Sequence, residues 1–113
     1  MGLFKTLLNK YNKNERFVMT QLIKKLDGMQ IKYVTERPDD ENETVIGKAG
    51  AIIIKGEELL VYSNEKVLFR ALITQLDASE LFSLEGVILK ANDLEHDGQF
   101  RQIIAYYTYY RKN

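Results

Sequence analysis

Three stretches of this chain are apolar on both faces of any strand that carries them: Ala51 to Ile54, Leu59 to Tyr62 and Ile103 to Tyr110. Each is short, rich in β-branched or aromatic residues and bounded by turn-forming residues, the signature of a strand. A strand with one wet face alternates apolar and polar residues, whereas a strand apolar on both faces must be covered twice. The sheet is therefore expected to curve strongly. One face would line a barrel-like core and the other would meet a second layer.

The last of these stretches is the most unusual. Tyr106, Tyr107, Tyr109 and Tyr110 place broad, semi-polar rings on both faces, with Arg101 and Arg111 at either side. Rings on one face would fill the core. Rings on the other would serve an interface, where tyrosine and arginine are favoured. These six residues are the first candidate interaction site. Stacking of nucleobases on the same rings is disfavoured by the charge of the remaining chain.

The material for a second layer lies at the other terminus. Leu3, Phe4, Leu7, Leu8 and Tyr11 follow the spacing of one helical face, as do Val18, Met19, Leu22, Ile23 and Leu26. Asn12-Lys13-Asn14 interrupts the two series, so the arm reads as one or two helices, with Asn14 as a candidate N-cap and Gly28 as the stop. About five large apolar residues per series, at roughly 1.5–3 kcal/mol each, are too many to leave hydrated. The arm must dock on its own sheet, on another subunit or on lipid. On lipid, Phe4, Leu7, Leu8 and Tyr11 would insert while Lys5, Lys10 and Lys13 faced anionic head groups. Residues 1–37 hold eight basic and three acidic side chains, and residues 38–99 hold five and thirteen. A basic arm on an acidic body is an asymmetry that can be self-complementary or membrane-directed.

Between the termini the chain punctuates itself. Strands are expected at Gln30–Glu36, Thr44–Lys55, Leu59–Tyr62, Lys66–Ile73, Glu85–Ala91 and Phe100–Tyr110, the last being the longest. Gly47 and Gly50 mark a bulge or bend. Asp77-Ala78-Ser79-Glu80 reads as a capping box that opens a short helix through Leu84, and Asp97-Gly98 as a hairpin turn. The expected fold is α+β. It is a curved antiparallel sheet or partly open barrel of about six strands, with one or two N-terminal helices packed on it and a short helix near 77–84. Residues 1–113 form a single domain, with a helical arm at 1–27 and a β body at 29–111.

Composition narrows the function classes. There is no cysteine, which removes disulfides and thiolate metal sites and fits a reducing, cytoplasmic compartment, with a membrane-peripheral position as the alternative. Sixteen basic and sixteen acidic residues cancel, against nucleic acid as a partner. The start of the chain does not read as a secretory signal, and no apolar run is long enough to span a bilayer. Asp93 to Gly98 resembles half of a calcium loop, but position three is Glu95 and position twelve is Ile104, so no metal site is expected. The single histidine, His96, has no marked nucleophile partner, and Gly47-Lys48-Ala49-Gly50 lacks the spacing of a phosphate loop. The chain thus reads as a non-enzymatic interaction or scaffold module without a cofactor, partnering itself or another protein. The alternatives are a peripheral membrane adaptor held by residues 1–16 and a small-ligand-binding barrel or enzyme.

Ser79-Glu80-Leu81-Phe82-Ser83-Leu84-Glu85-Gly86-Val87, followed by Ile103-Ile104-Ala105-Tyr106-Tyr107-Thr108-Tyr109-Tyr110-Arg111, resembles a family of small, uncharacterised proteins of Gram-positive bacteria. The resemblance covers residues 47–111 best and implies no catalytic residue. The meander, short helix and final strands are also loosely similar to the pleckstrin-homology-like barrel, which would imply binding in place of chemistry. That fold ends in a helix, whereas here the helical segments come first.

Overall fold

In the computed structural model, which describes residues 12–38 and 42–108, the first described element is a helix, α1 (Lys13–Leu26). Its N-cap is Asn12, not Asn14. The Asn12 side chain accepts from the Glu15 N–H at 2.8 Å, and Glu15 accepts from the Asn12 N–H at 3.0 Å. This reciprocal pair satisfies two of the donors that every helix start leaves open, which Asn14 has no answering residue to do. At the other end Gly28 takes φ +85, a left-handed conformation that glycine adopts without strain.

Seven antiparallel strands follow, one more than the punctuation suggests: β1 (Gln30–Glu36), β2 (Thr44–Lys55), β3 (Glu58–Ser63), β4 (Lys66–Leu72), β5 (Asp77–Glu80), β6 (Gly86–Asp93) and β7 (Gln99–Tyr107). Their order in the sheet is β4-β3-β2-β1-β7-β6-β5. The additional strand is β5, which replaces the expected short helix at 77–84. A capping box is a local signal, and it loses here to a ladder in which Asp77 through Glu80 pair with Lys90 back to Val87. Ala78 thereby reaches the core. The last strand ends at Tyr107, and at twelve residues β2 is the longest described strand.

Irregularities bend the sheet. The β1–β2 register slips beside Gly47, the β1–β7 register slips at Lys32 between Ile31 and Tyr33, and the β3–β4 register slips beside Val61. Such bulges increase local twist. Gly50 allows a close approach of β3: a Cβ there would lie 1.7 Å from the Tyr62 carbonyl oxygen. The curl brings β4 against β6 and against the 3-10 turn Leu94–His96, although β4 and β6 are not neighbours in the sheet. The sheet remains open, with β4 and β5 as its edges.

The inner face holds one apolar cluster that includes Val34, Ile52, Leu59, Phe69, Leu89 and Tyr107, all fully buried or nearly so. Ile23 and Leu26 of α1 belong to this cluster. The helix therefore closes a mouth of the inner space and does not lie as a layer over the outer face. Leu60 and Ile104 are buried outside the cluster, as strands apolar on both faces require. The junction of α1 and β1 is stitched to β2. Gly28 N–H donates to the Ile52 carbonyl at 2.7 Å, Ile52 N–H to the Met29 carbonyl at 2.9 Å and Ile54 N–H to the Asp27 carboxylate at 2.8 Å. No helix among the described residues is long and apolar enough to cross a membrane.

Candidate functional site

The tyrosine strand divides its side chains as a two-residue period dictates. Tyr107 points inward and is 1 % exposed, and its hydroxyl donates to Glu80 at 3.3 Å. Tyr106 lies on the outer face, half-buried, its ring 4.7 Å from that of Tyr33. Its hydroxyl donates to Glu43 Oε2 at 2.5 Å. Thr35 donates to the same oxygen at 2.6 Å, and Arg37 reaches Oε1 at 3.2 Å. These donors, Thr35 first, hold the Glu43 carboxyl below its ordinary range. Burial first, and Glu43 second, push the Tyr106 phenol up to about 12. The outer tyrosine is thus fastened to the body of the protein. Tyr109, Tyr110 and Arg111 lie outside the described residues.

Arg101 is engaged in the same way. It shares the inward face of β7 with Ile103, Ala105 and Tyr107, at the opposite end of the strand. Its guanidinium forks onto Glu36, with Nε to Oε2 at 3.0 Å and Nη2 to Oε1 at 2.8 Å. Nη1 donates to Asp93 Oδ2 at 2.6 Å and to the Leu68 carbonyl at 3.2 Å. Asp93 is fully buried, and it also accepts from the backbone N–H of Arg70 at 3.1 Å and of Glu95 at 2.9 Å. Those two N–H groups take Oδ1, and His96 Nδ1 lies 2.6 Å from Oδ2, the oxygen that Arg101 also holds. Arg70 completes the cluster through Glu95 at 3.1 Å and Glu58 at 3.2 Å. Hydrogen bonding to Arg101 draws the Glu36 carboxyl down, and Glu36 in turn raises the Arg101 guanidinium. Among the described residues no buried side-chain nitrogen or oxygen lacks a partner.

This cluster is a lock. Asp93 continues the inward series Val87, Leu89 and Ala91 of β6, so its carboxylate sits where an apolar residue would otherwise end the core. From there it caps the edge of β4, taking the Arg70 N–H, while Arg101 takes the Leu68 carbonyl. Two backbone groups that an edge strand would leave open are satisfied by side chains across the seam. The carboxylates of the 93–98 loop do not converge on an empty point, and among the described residues no group of histidines and carboxylates is placed to hold a metal.

The surface with unfilled capacity is elsewhere. A groove of about 690 Å³ runs between α1 and β5, floored by Met19, Leu22 and Ala78 and flanked by Phe17 and Val18. Phe17 and Val18 are 64 % and 65 % exposed, while Ile23 and Leu26 on the same helix are buried. β5 is a sheet edge that pairs only with β6 among the described residues. Asp77, Glu80 and Glu15 make the rim acidic against the single Lys25. Phe82, at the tip of the β5–β6 loop, is fully exposed.

Of the arm residues, Lys13 is the exposed first residue of α1. Phe4, Lys5, Leu7, Leu8, Lys10 and Tyr11 lie outside the described residues. The periodicity singles out Val18 as core, yet the structure leaves it on the rim. Phe17 falls off the apolar stripe, and that misplacement is the signal that could have found the groove. Nothing local announces Asp93 as the centre of a lock, because two of its four partners, Arg70 and Arg101, come from other strands, β4 and β7. Comparison of the chain with protein-family models, with curated proteins and with solved structures finds no match.

Proposed function

We propose that this chain is a non-enzymatic interaction module that pairs with a second copy of itself through the face made by α1 and β5. One observation carries the reading. Phe17 and Val18 stay about two-thirds exposed at the rim of an apolar groove, on a helix whose other apolar residues are buried or half-buried. Exposed apolar groups gathered beside an open strand edge mark a contact surface. Of the tyrosine strand's described residues, Tyr107 is in the core and Tyr106 and Arg101 are held by carboxylates, which favours the α1–β5 face over them as the contact surface. The inner space is filled by Phe69, Leu59, Ile52, Leu89 and Tyr107, which weighs against a small-ligand cavity there.

Light scattering on the full chain across a hundredfold concentration range tests the reading. The mass is expected to rise toward twice that of the monomer. Phe17→Glu combined with Val18→Glu is expected to hold it at the monomer with an unchanged far-UV circular dichroism spectrum. A wild-type chain that is monomeric at every concentration refutes it.

A further inference from the structure

Resting on that reading, we infer that the groove between α1 and β5 receives the leading segment, residues 3–11, of a second copy, so that two chains exchange arms reciprocally. Chemistry, length and connection each point to this occupant.

The groove floor is apolar, and the segment brings Leu3, Phe4, Leu7, Leu8 and Tyr11 at the spacing of a single helical face. Its rim carries Glu15, Asp77 and Glu80 against Lys25, and the segment carries Lys5, Lys10 and no acidic residue. The charges are complementary as well as the surfaces.

The lengths agree. At about 1.5 Å per residue, nine helical residues measure about 14 Å, and the Asn14 to Lys25 side of the groove measures about 17 Å.

The connection decides whose groove is used. The apolar series runs up to Tyr11, and the next residue, Asn12, is already fixed as the cap of α1 by both bonds of its capping box. An antiparallel helical hairpin needs a loop of about two to five residues. Folding back onto its own groove would therefore consume Tyr11 and its neighbours. The groove of a second copy imposes no such turn. Short, strained hinges favour exchange between protomers over closure within one. Two arms and two grooves related by a twofold axis leave none unfilled.

The chain contains no cysteine, which makes cross-linking clean. Full-length chains carrying Leu7→Cys and Ser79→Cys together are oxidised at a concentration where the wild type is paired. Disulfide-linked dimers are expected. Linked monomers would overturn exchange in favour of folding back. In parallel, Leu7→Asp with Leu8→Asp is expected to return the mass from twice the monomer to one, with the circular dichroism spectrum unchanged. If that variant stays paired while Phe17→Glu with Val18→Glu does not, the docking face stands and the arm is not its occupant. If the wild type is monomeric and instead co-sediments with vesicles of mixed phosphatidylcholine and phosphatidylserine, in a manner that Leu7→Asp with Leu8→Asp abolishes, the arm is a lipid anchor. The inference then falls together with the pairing face.

Discussion

At one mouth of the curled sheet, Asp93, Arg101 and Glu36 hold one another at hydrogen-bond distance; at the other, Ile23 and Leu26 of α1 join the apolar cluster that contains Tyr107. The first closure is directional and complete, and every buried polar side-chain atom in it has a partner. A newcomer could enter only by breaking it. The second closure is non-directional and partial. It leaves Phe17 and Val18 in water beside an open strand edge, and it can be extended without disturbing what is already packed. The two mouths teach that the chemistry-rich part of a small protein can be its fixed part. On the reading proposed above, the binding capacity lies in the plainer half, where apolar contacts are few enough to be added to.

The comparison can be broken most sharply at the ionic mouth. Arg101→Ala leaves Asp93 and Glu36 without their guanidinium, and it is expected to cost about 3–5 kcal/mol in urea unfolding. A cost below about 1 kcal/mol would mean the cluster is not a lock. At the apolar mouth Leu26→Ala removes a fully buried side chain, and about 3 kcal/mol is expected from the same measurement. Acid separates the two mouths. Arg101 holds the Glu36 carboxyl below its ordinary value of 4.5. Its contribution is therefore present above that value and is lost as the pH falls through the lowered one. Thermal melting between about pH 5 and 3 is expected to drop more steeply in the wild type than in Glu36→Gln, which begins lower at neutral pH. Glu43, also lowered, acts equally in both. Leu26→Ala should shift the whole curve down without changing that slope. The smallest stability effect belongs to the groove rim. Phe17→Ser with Val18→Ser is expected to move unfolding by no more than about 0.5 kcal/mol at a dilution where the wild type is unpaired, while abolishing self-association in light scattering at high concentration.

The sequence made the strands legible where turn residues fence them. Gln30–Glu36 and Thr44–Lys55 are bounded as their residues suggest, because Pro38 on one side and Lys55-Gly56-Glu57 on the other leave little choice. The curved sheet with a helix packed on it follows from strands apolar on both faces. Asp77 to Glu80 misled because its capping-box pattern is local while its strand state depends on β6, which arrives later in the chain. Asn12 caps α1 in place of Asn14 because Glu15 stands three residues after it, the spacing a capping box needs, and directly beside Asn14, where it cannot answer. The ionic lock was the least legible part. Glu36, Asp93 and Arg101 lie on three strands, and only the inward period of β6 hints that Asp93 faces the core.

A strand that ends a sheet invites another to join it, and this sheet has withdrawn the invitation on one side only. With Asp93 on the Arg70 N–H and Arg101 on the Leu68 carbonyl, strand addition at β4 is obstructed, and β5 is the more open edge among the described residues. Copies meeting through a single open edge can satisfy one another and then have nothing left to offer. On the pairing proposed above the assembly would be a closed pair, because a lengthening fibre needs a second open edge from which to propagate.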